Sequence, residues 1–171
     1  MSTGVTTQPG QALDGSAFDF LPGEYTVKMR RRKVSGDLEV LSDWNAFDAT
    51  ATFRRMLDGF GFFEEFRMEQ PHGVTYSVGT RFFNPQTNVW TIYWANQKDG
   101  GWQSAPMTGG IAAEDGMIFT MDDTLEGKPV LTRYYWRTPS YDHPSWEQSF
   151  SNDGGVTWTS NWVMEFSRKP A

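Results

Sequence analysis

From Phe18 onward the chain is a succession of short runs in which apolar and polar residues alternate. Turn-forming clusters separate them at intervals of roughly 8 to 12 residues, the spacing of a sandwich or a barrel. The runs centre on residues 25–29, 47–57, 62–68, 75–83, 89–95, 110–113, 117–121, 129–137, 146–151 and 161–166. The separators Asp58-Gly59, Asn84-Pro85, Asp99-Gly100-Gly101, Asp115-Gly116 and Asn152-Asp153-Gly154-Gly155 supply left-handed positions or a preset φ. Consecutive runs are therefore predicted to pair as hairpins. No stretch sustains a 3.6-residue period, which leaves room for no more than a helical turn around residues 16–21. The pattern predicts an all-β, antiparallel up-and-down barrel of about 8–10 strands, because closure removes the edges such a meander would expose. Residues 1–16, rich in Gly, Thr, Gln and Pro without periodicity, read as a flexible tail or a strap over the barrel, and residues 17–171 as a single domain.

Period-two alternation sorts the side chains into two faces, and one is consistently heavier. It carries Phe47 and Phe53; Phe62, Phe66 and Met68; Trp90, Ile92 and Trp94; Tyr134 and Trp136; Trp146 and Phe150; Trp162, Met164 and Phe166. That set is assigned to the interior. The other face, with Arg54, Glu65, Arg133, Arg137, Glu147 and Glu165, reads as a solvated layer of cross-strand ion pairs. Polar residues that share the heavy face are the informative ones, since buried polar groups need partners: Arg55, Glu64, Gln148 and Arg168. If the turn spans residues 58–61, Arg55 lies opposite Glu64 and Phe53 opposite Phe66. If Asp58-Gly59 is instead a two-residue turn, Arg55 faces Phe62 and Glu64 faces Phe53. Gln148, flanked by Trp146 and Phe150, has the chemistry of a sparse polar anchor in an apolar pocket. Arg168, near the chain end, is expected to snorkel to solvent.

Charge and composition narrow the partners. Fifteen Lys+Arg against 21 Asp+Glu give a net charge of −6, which disfavours nucleic acid and anionic membrane surfaces. The basic run Arg30-Arg31-Arg32-Lys33 follows an alternating strand and reads as a solvated strand end or a protected edge. There is no cysteine, so thiolate chemistry and Cys-type metal sites are excluded, and with no signal-like segment a cytoplasmic location is expected. Only His72 and His143 are present, in different loops, so no metal site is expected. His143, just before an aromatic run, is a candidate general acid or base at a barrel mouth. Phosphate loops, dinucleotide fingerprints, zinc-protease motifs and nucleophile elbows are lacking. Ser151-Asn-Asp-Gly-Gly-Val-Thr-Trp158 resembles the Asp-box hairpin turn, whose meaning is structural: Asp153 is expected to cap its own turn and Trp158 to pack over it.

Three segments carry a family resemblance: Phe18-Asp-Phe-Leu-Pro-Gly-Glu24, the stretch from Arg81 to Trp94 that reads RFFNPQTNVWTIYW, and the C-terminal block from Trp146 to Arg168. With these the chain resembles an uncharacterised bacterial family of lipocalin-like, calycin-type β-barrels. The resemblance implies the fold and carries over no substrate or catalytic set. The opening also resembles that of heme-binding barrels of the nitrobindin kind, but no histidine lies in an evident ligating strand, and no cofactor is expected.

Two functions remain in play. One is binding of a small apolar or aromatic metabolite in a cavity lined by Trp90, Trp94, Tyr134, Trp136, Trp146, Gln148 and Trp162. The other is a cofactor-independent enzyme, a cyclase, isomerase or lyase acting on a polyketide-like, terpenoid or aromatic substrate in the same cavity. There Arg55 would stabilise negative charge and Glu64 or His143 would move the proton. A filled barrel acting through its outer surface, for instance as a homodimer, is the third reading.

Overall fold

The computed structural model describes residues 8–103 and 105–170. Its strands are β1 (Gly23–Arg31), β2 (Asn45–Met56), β3 (Gly61–Gln70), β4 (Gly73–Asn84), β5 (Val89–Asn96), β6 (Met107–Gly109), β7 (Ile111–Ala113), β8 (Gly116–Leu125), β9 (Lys128–Arg137), β10 (Ser145–Ser151) and β11 (Thr159–Arg168). All eleven lie in one antiparallel sheet in the order β6-β5-β4-β3-β2-β1-β11-β10-β9-β8-β7. Spatial neighbours are sequence neighbours except where β1 meets β11, with Val27 opposite Phe166. This is the expected lipocalin-like up-and-down barrel, nearly closed, with one strand more than the alternation showed.

The additional strand is β6. It and β7 are halves of one short run broken at Gly109 and Gly110, whose φ angles are 92° and 100°. The first half pairs with β5 and the second with β8, so this broken run brings the two ends of the sheet together. A Cβ on Gly110 would lie 2.6 Å from the Phe119 ring and 2.7 Å from Leu13, so the break needs glycine for space as well as for its backbone angle.

Between β2 and β3, Leu57, Asp58 and Gly59 all take positive φ in a tight 3-10 turn. The register that results sets Phe53 opposite Glu64 and Arg55 opposite Phe62, the second of the two registers open to the sequence. Alternation then places Phe53, Phe62, Phe66, Trp90, Trp136, Trp162, Met164 and Phe166 in the core. On β4 it is the lighter face that turns inward, with Ser77, Gly79 and Arg81 buried while Tyr76 and Phe82 face out.

One end of the barrel is plugged. The chain before β1 makes three successive turns, Ala17 N–H to Asp14 O, Asp19 N–H to Ser16 O and Leu21 N–H to Phe18 O, and drives Phe18 and Leu21 fully into the interior. The Phe18 ring meets Trp90 edge-on at 4.9 Å and stacks on Phe119 at 5.9 Å. Tyr25 holds the plug from inside by donating its hydroxyl to Leu21 O at 2.9 Å, and burial pushes that phenol up to about 12. Arg168 does not snorkel out. It donates to Pro22 O at 2.7 Å and Phe20 O at 2.5 Å, and lies over Tyr25 and Tyr141, because the plug's free carbonyls give its guanidinium better partners than water alone. The expected tail falls in part on residues 1–7, outside the described residues. From Gln8 onward the chain runs along β7, Gly10 N–H donating to Ala112 O at 2.8 Å, and Leu13 joins the core.

At the other end the turn between β10 and β11 is built as its sequence suggests. Asp153 accepts from the backbone N–H groups of Val156 and Thr157 and from the Thr157 hydroxyl, Gly154 and Gly155 take φ of 74° and 90°, and Trp158 Nε1 donates to Gly155 O at 3.0 Å. These bonds hold the Asp153 carboxyl down at about 2.

Two predictions follow from the packing and the turn. Phe18→Ala removes the ring around which the plug is built and is expected to cost about 3–5 kcal/mol in urea unfolding. The depressed Asp153 pKa means that its ionised form stabilises the fold above the ordinary carboxylate range, near pH 4. That contribution is lost as the pH falls from about 4 through about 2, and Asp153→Asn should flatten the stability profile over that window in pH-dependent unfolding.

Candidate ligand site

Above the plug, towards the opposite end of the barrel, the interior leaves a partly open cavity of about 50 Å³. Its walls come from five strands: Phe66 on β3, Ile92 and Trp94 on β5, Tyr134 and Trp136 on β9, Trp146 and Gln148 on β10, and Trp162 and Met164 on β11. Gln103, from the loop after β5, contributes to the mouth, and Glu64 and Arg81 form the floor. The rings are not parallel. Trp162 meets Trp146 edge-on at 5.6 Å and Trp94 edge-on at 5.8 Å, the arrangement that opposed ring quadrupoles favour.

Six of the seven residues that the sequence nominates for ligand contact line this cavity: Trp94, Tyr134, Trp136, Trp146, Gln148 and Trp162. The seventh, Trp90, lies below it, fully buried, with Nε1 donating to Asp14 O at 2.8 Å. Gln148 sits where β10 and β11 slip register, and its Nε2 donates to Asn161 Oδ1 at 3.1 Å. Burial pushes the Tyr134 phenol up to about 12, so it remains a neutral hydroxyl over the ordinary pH range.

The proposed catalytic set is dispersed. Of its members only Glu64 reaches the cavity. Arg55 is at the plugged end, in an exposed ion pair with Asp19 at 2.9 Å and over the Phe62 ring at 5.4 Å. His143 lies in an exposed loop at that same end, its Nδ1 3.5 Å from Ser167 Oγ. The observed turn register separates Arg55 from Glu64, and the partner of Glu64 is Arg81 instead.

Glu64 and Arg81 form the only ion pair of the described residues in which both side chains are almost wholly buried. Glu64 stands opposite Gly79 on β4, and a Cβ there would fall inside the carboxylate, so the glycine makes the space the acid occupies. Arg81, two residues on, donates Nη2 to Glu64 Oε2, with its guanidinium 4.5 Å from the Phe18 ring and 5.3 Å from that of Trp136. Burial pushes Glu64 up and Arg81 down, and each draws the other part of the way back. Arg81 Nε and Nη1 have no hydrogen-bond partner, nor has Trp162 Nε1. Sequence reasoning missed Arg81 because its face of β4 carries Ser77 and Gly79 and looks like a solvent side. The available signal was the pairing of a small residue with an inward acid on the neighbouring strand.

No family model matches the chain, and no curated protein matches it in sequence. Among solved structures, one described as "Structure of EF1p2_mFAP2b bound to DFHBI" is similar at a TM-score of 0.48 and 11% identity, over 92% of this chain and 100% of that one.

Removing one member of a buried pair strands the other charge. Arg81→Met is expected to cost about 3–5 kcal/mol in urea unfolding, and adding Glu64→Gln to it should restore much of that loss. A loss in the double variant equal to the sum of the Arg81→Met and Glu64→Gln losses would show that the two side chains act independently.

Proposed function

We propose that the protein binds one small apolar or aromatic molecule in the cavity between the plug and the open end of the barrel. The observation that carries this reading is the asymmetry of the interior. The lower half is packed solid around Phe18, whereas the upper half has an aromatic wall, a way out to solvent and unpartnered polar hydrogens. A barrel that served only as a scaffold gains nothing from a buried charge pair and orphaned donors beside a void.

Size sets the ligand class. A void that takes up a benzene ring is on the order of 150 Å³, so the cavity of about 50 Å³ must widen to accept even one ring. Trp94 and the exposed Gln103 at the mouth, with Tyr134 and Gln148 on the wall, are the lining groups that are not fully buried. A compact ligand of one ring fits this requirement, and an elongated polycyclic one does not. Binding rather than catalysis is favoured because Glu64, with its carboxylate committed to Arg81, has neither Arg55 nor His143 within the cavity.

Tryptophan-fluorescence titration with single-ring aromatics, paired with native mass spectrometry, tests this directly. Saturable quenching with a one-to-one adduct is expected. Gln148→Ala should weaken binding by roughly 2- to 12-fold, the worth of one hydrogen bond. Arg55→Ala, at the plugged end, should leave affinity unchanged. Absence of both quenching and adduct across the set would overturn the reading.

A further inference from the structure

Arg31 is the last residue of β1, and its position on that strand continues the inward face of Tyr25, Val27 and Met29. It stands opposite Trp162 in the register with β11, and its guanidinium lies 4.5 Å from the centre of the Trp162 ring. Arg31 is exposed and is not itself part of the cavity lining, but the Trp162 ring it lies against is, which puts it beside the open end. The neighbouring arginines do something different: Arg30 and Arg32 both lie over Trp44, at 5.5 and 4.5 Å, away from that ring. Among the described residues Arg31 makes no ion pair. The acid whose field acts on it, Asp99, accepts from Asn96 Nδ2 at 2.6 Å, and its backbone N–H donates back to Asn96 Oδ1 at 2.9 Å.

The buried groups left without partners around the cavity are all hydrogen donors. Trp162 Nε1 is one, on a residue 7% exposed, and Arg81 Nε and Nη1 are the others, on a residue 2% exposed. Tyr134 adds a neutral hydroxyl. The charge at the floor is balanced within the pair Glu64 and Arg81, whereas Arg31 places at the mouth a positive charge that feels Asp99 but is engaged in no ion pair among the described residues. Glu64 at the floor repels an anion placed deep, and Arg31 attracts one placed high.

From this arrangement we infer that the ligand is a small aromatic monocarboxylate, held with its ring among Trp94, Trp146 and Trp162 and its carboxylate on Arg31 at the mouth. This deepens the binding function proposed above and rests on it. The planar guanidinium suits a carboxylate because it offers two parallel N–H bonds, and its contact with the Trp162 ring limits where it can lie. An amine would meet a cation at the mouth and donors on the walls. A neutral amide of the same shape would fill the space but leave the charge of Arg31 unanswered.

The test compares benzoate, benzamide and benzylammonium by fluorescence titration at low salt. Benzoate is expected to bind at least about tenfold more tightly than benzamide, with benzylammonium weakest, and the preference should shrink as salt is raised. Arg31→Gln should abolish the preference for benzoate and leave benzamide affinity unchanged. Arg30→Gln, one residue away and over Trp44, should keep the preference, which separates a specific contact from the general effect of one charge. Trp162→Phe, which retains a ring and loses the N–H, should weaken benzoate. Equal affinity for benzoate and benzamide, or a preference that survives Arg31→Gln, overturns the carboxylate assignment while the cavity reading stands. Failure of all three probes to bind overturns both.

Discussion

A carboxylate and a guanidinium removed from water must find nearly all of their solvation in one another and in the groups around them, and in this barrel that requirement organises the interior. Glu64 fits because the strand beside it has a glycine, Gly79, where its side chain must lie. Arg81 fits because Phe18, Phe53 and Trp136 turn their rings towards its guanidinium. Phe18 can do so only because the segment before β1 turns back into the barrel, and that segment is tied down by Tyr25 and Arg168. A single polar contact thus links the plug, four strands and the floor of the cavity. The linkage also has a direction: the plug and its aromatic core lie below the pair, and the cavity lies above it.

The two ends of the barrel use arginine in opposite ways. Arg168 donates both terminal nitrogens to carbonyl oxygens of the plug and is flanked by tyrosines, so it acts as a clasp. Arg31, one strand over and at the far end, has an aromatic face beneath it and no acid in contact, so its hydrogens remain available. The same side chain is structural where backbone acceptors surround it and receptive where a ring alone supports it.

The architecture was legible wherever the alternation was long. Ten of the strands coincide with runs whose period and turn residues mark them, and the inward rings of β5, β9, β10 and β11 were assignable because each strand has one face much heavier than the other. β6 was not legible, since three residues ending at Gly109 and Gly110 carry no period. Six of the residues that line the cavity were placed on the inward face by parity alone. The partner of Glu64 was not, because Arg81 reaches it diagonally from a face of β4 whose other inward residues, Ser77 and Gly79, are too small to mark it as the interior. Arg168 was misjudged for a related reason: chain-end position says nothing about which carbonyls the fold will leave free nearby.

The broken run at Gly109 and Gly110 bears on how the molecule changes girth. Around most of the circumference long strands are zipped along their full length, while β6 and β7 offer three residues each to their neighbours and no continuous backbone bonding across the break. Such a wall is stiff as a set of staves and weak at one seam, so a change in diameter concentrates there instead of spreading around the hoop. The seam adjoins β5, the strand that carries Trp94. Because Gly110 packs on Leu13 and Phe119 and the strap bonds to Ala112, any parting along that line would be felt by the plug as well.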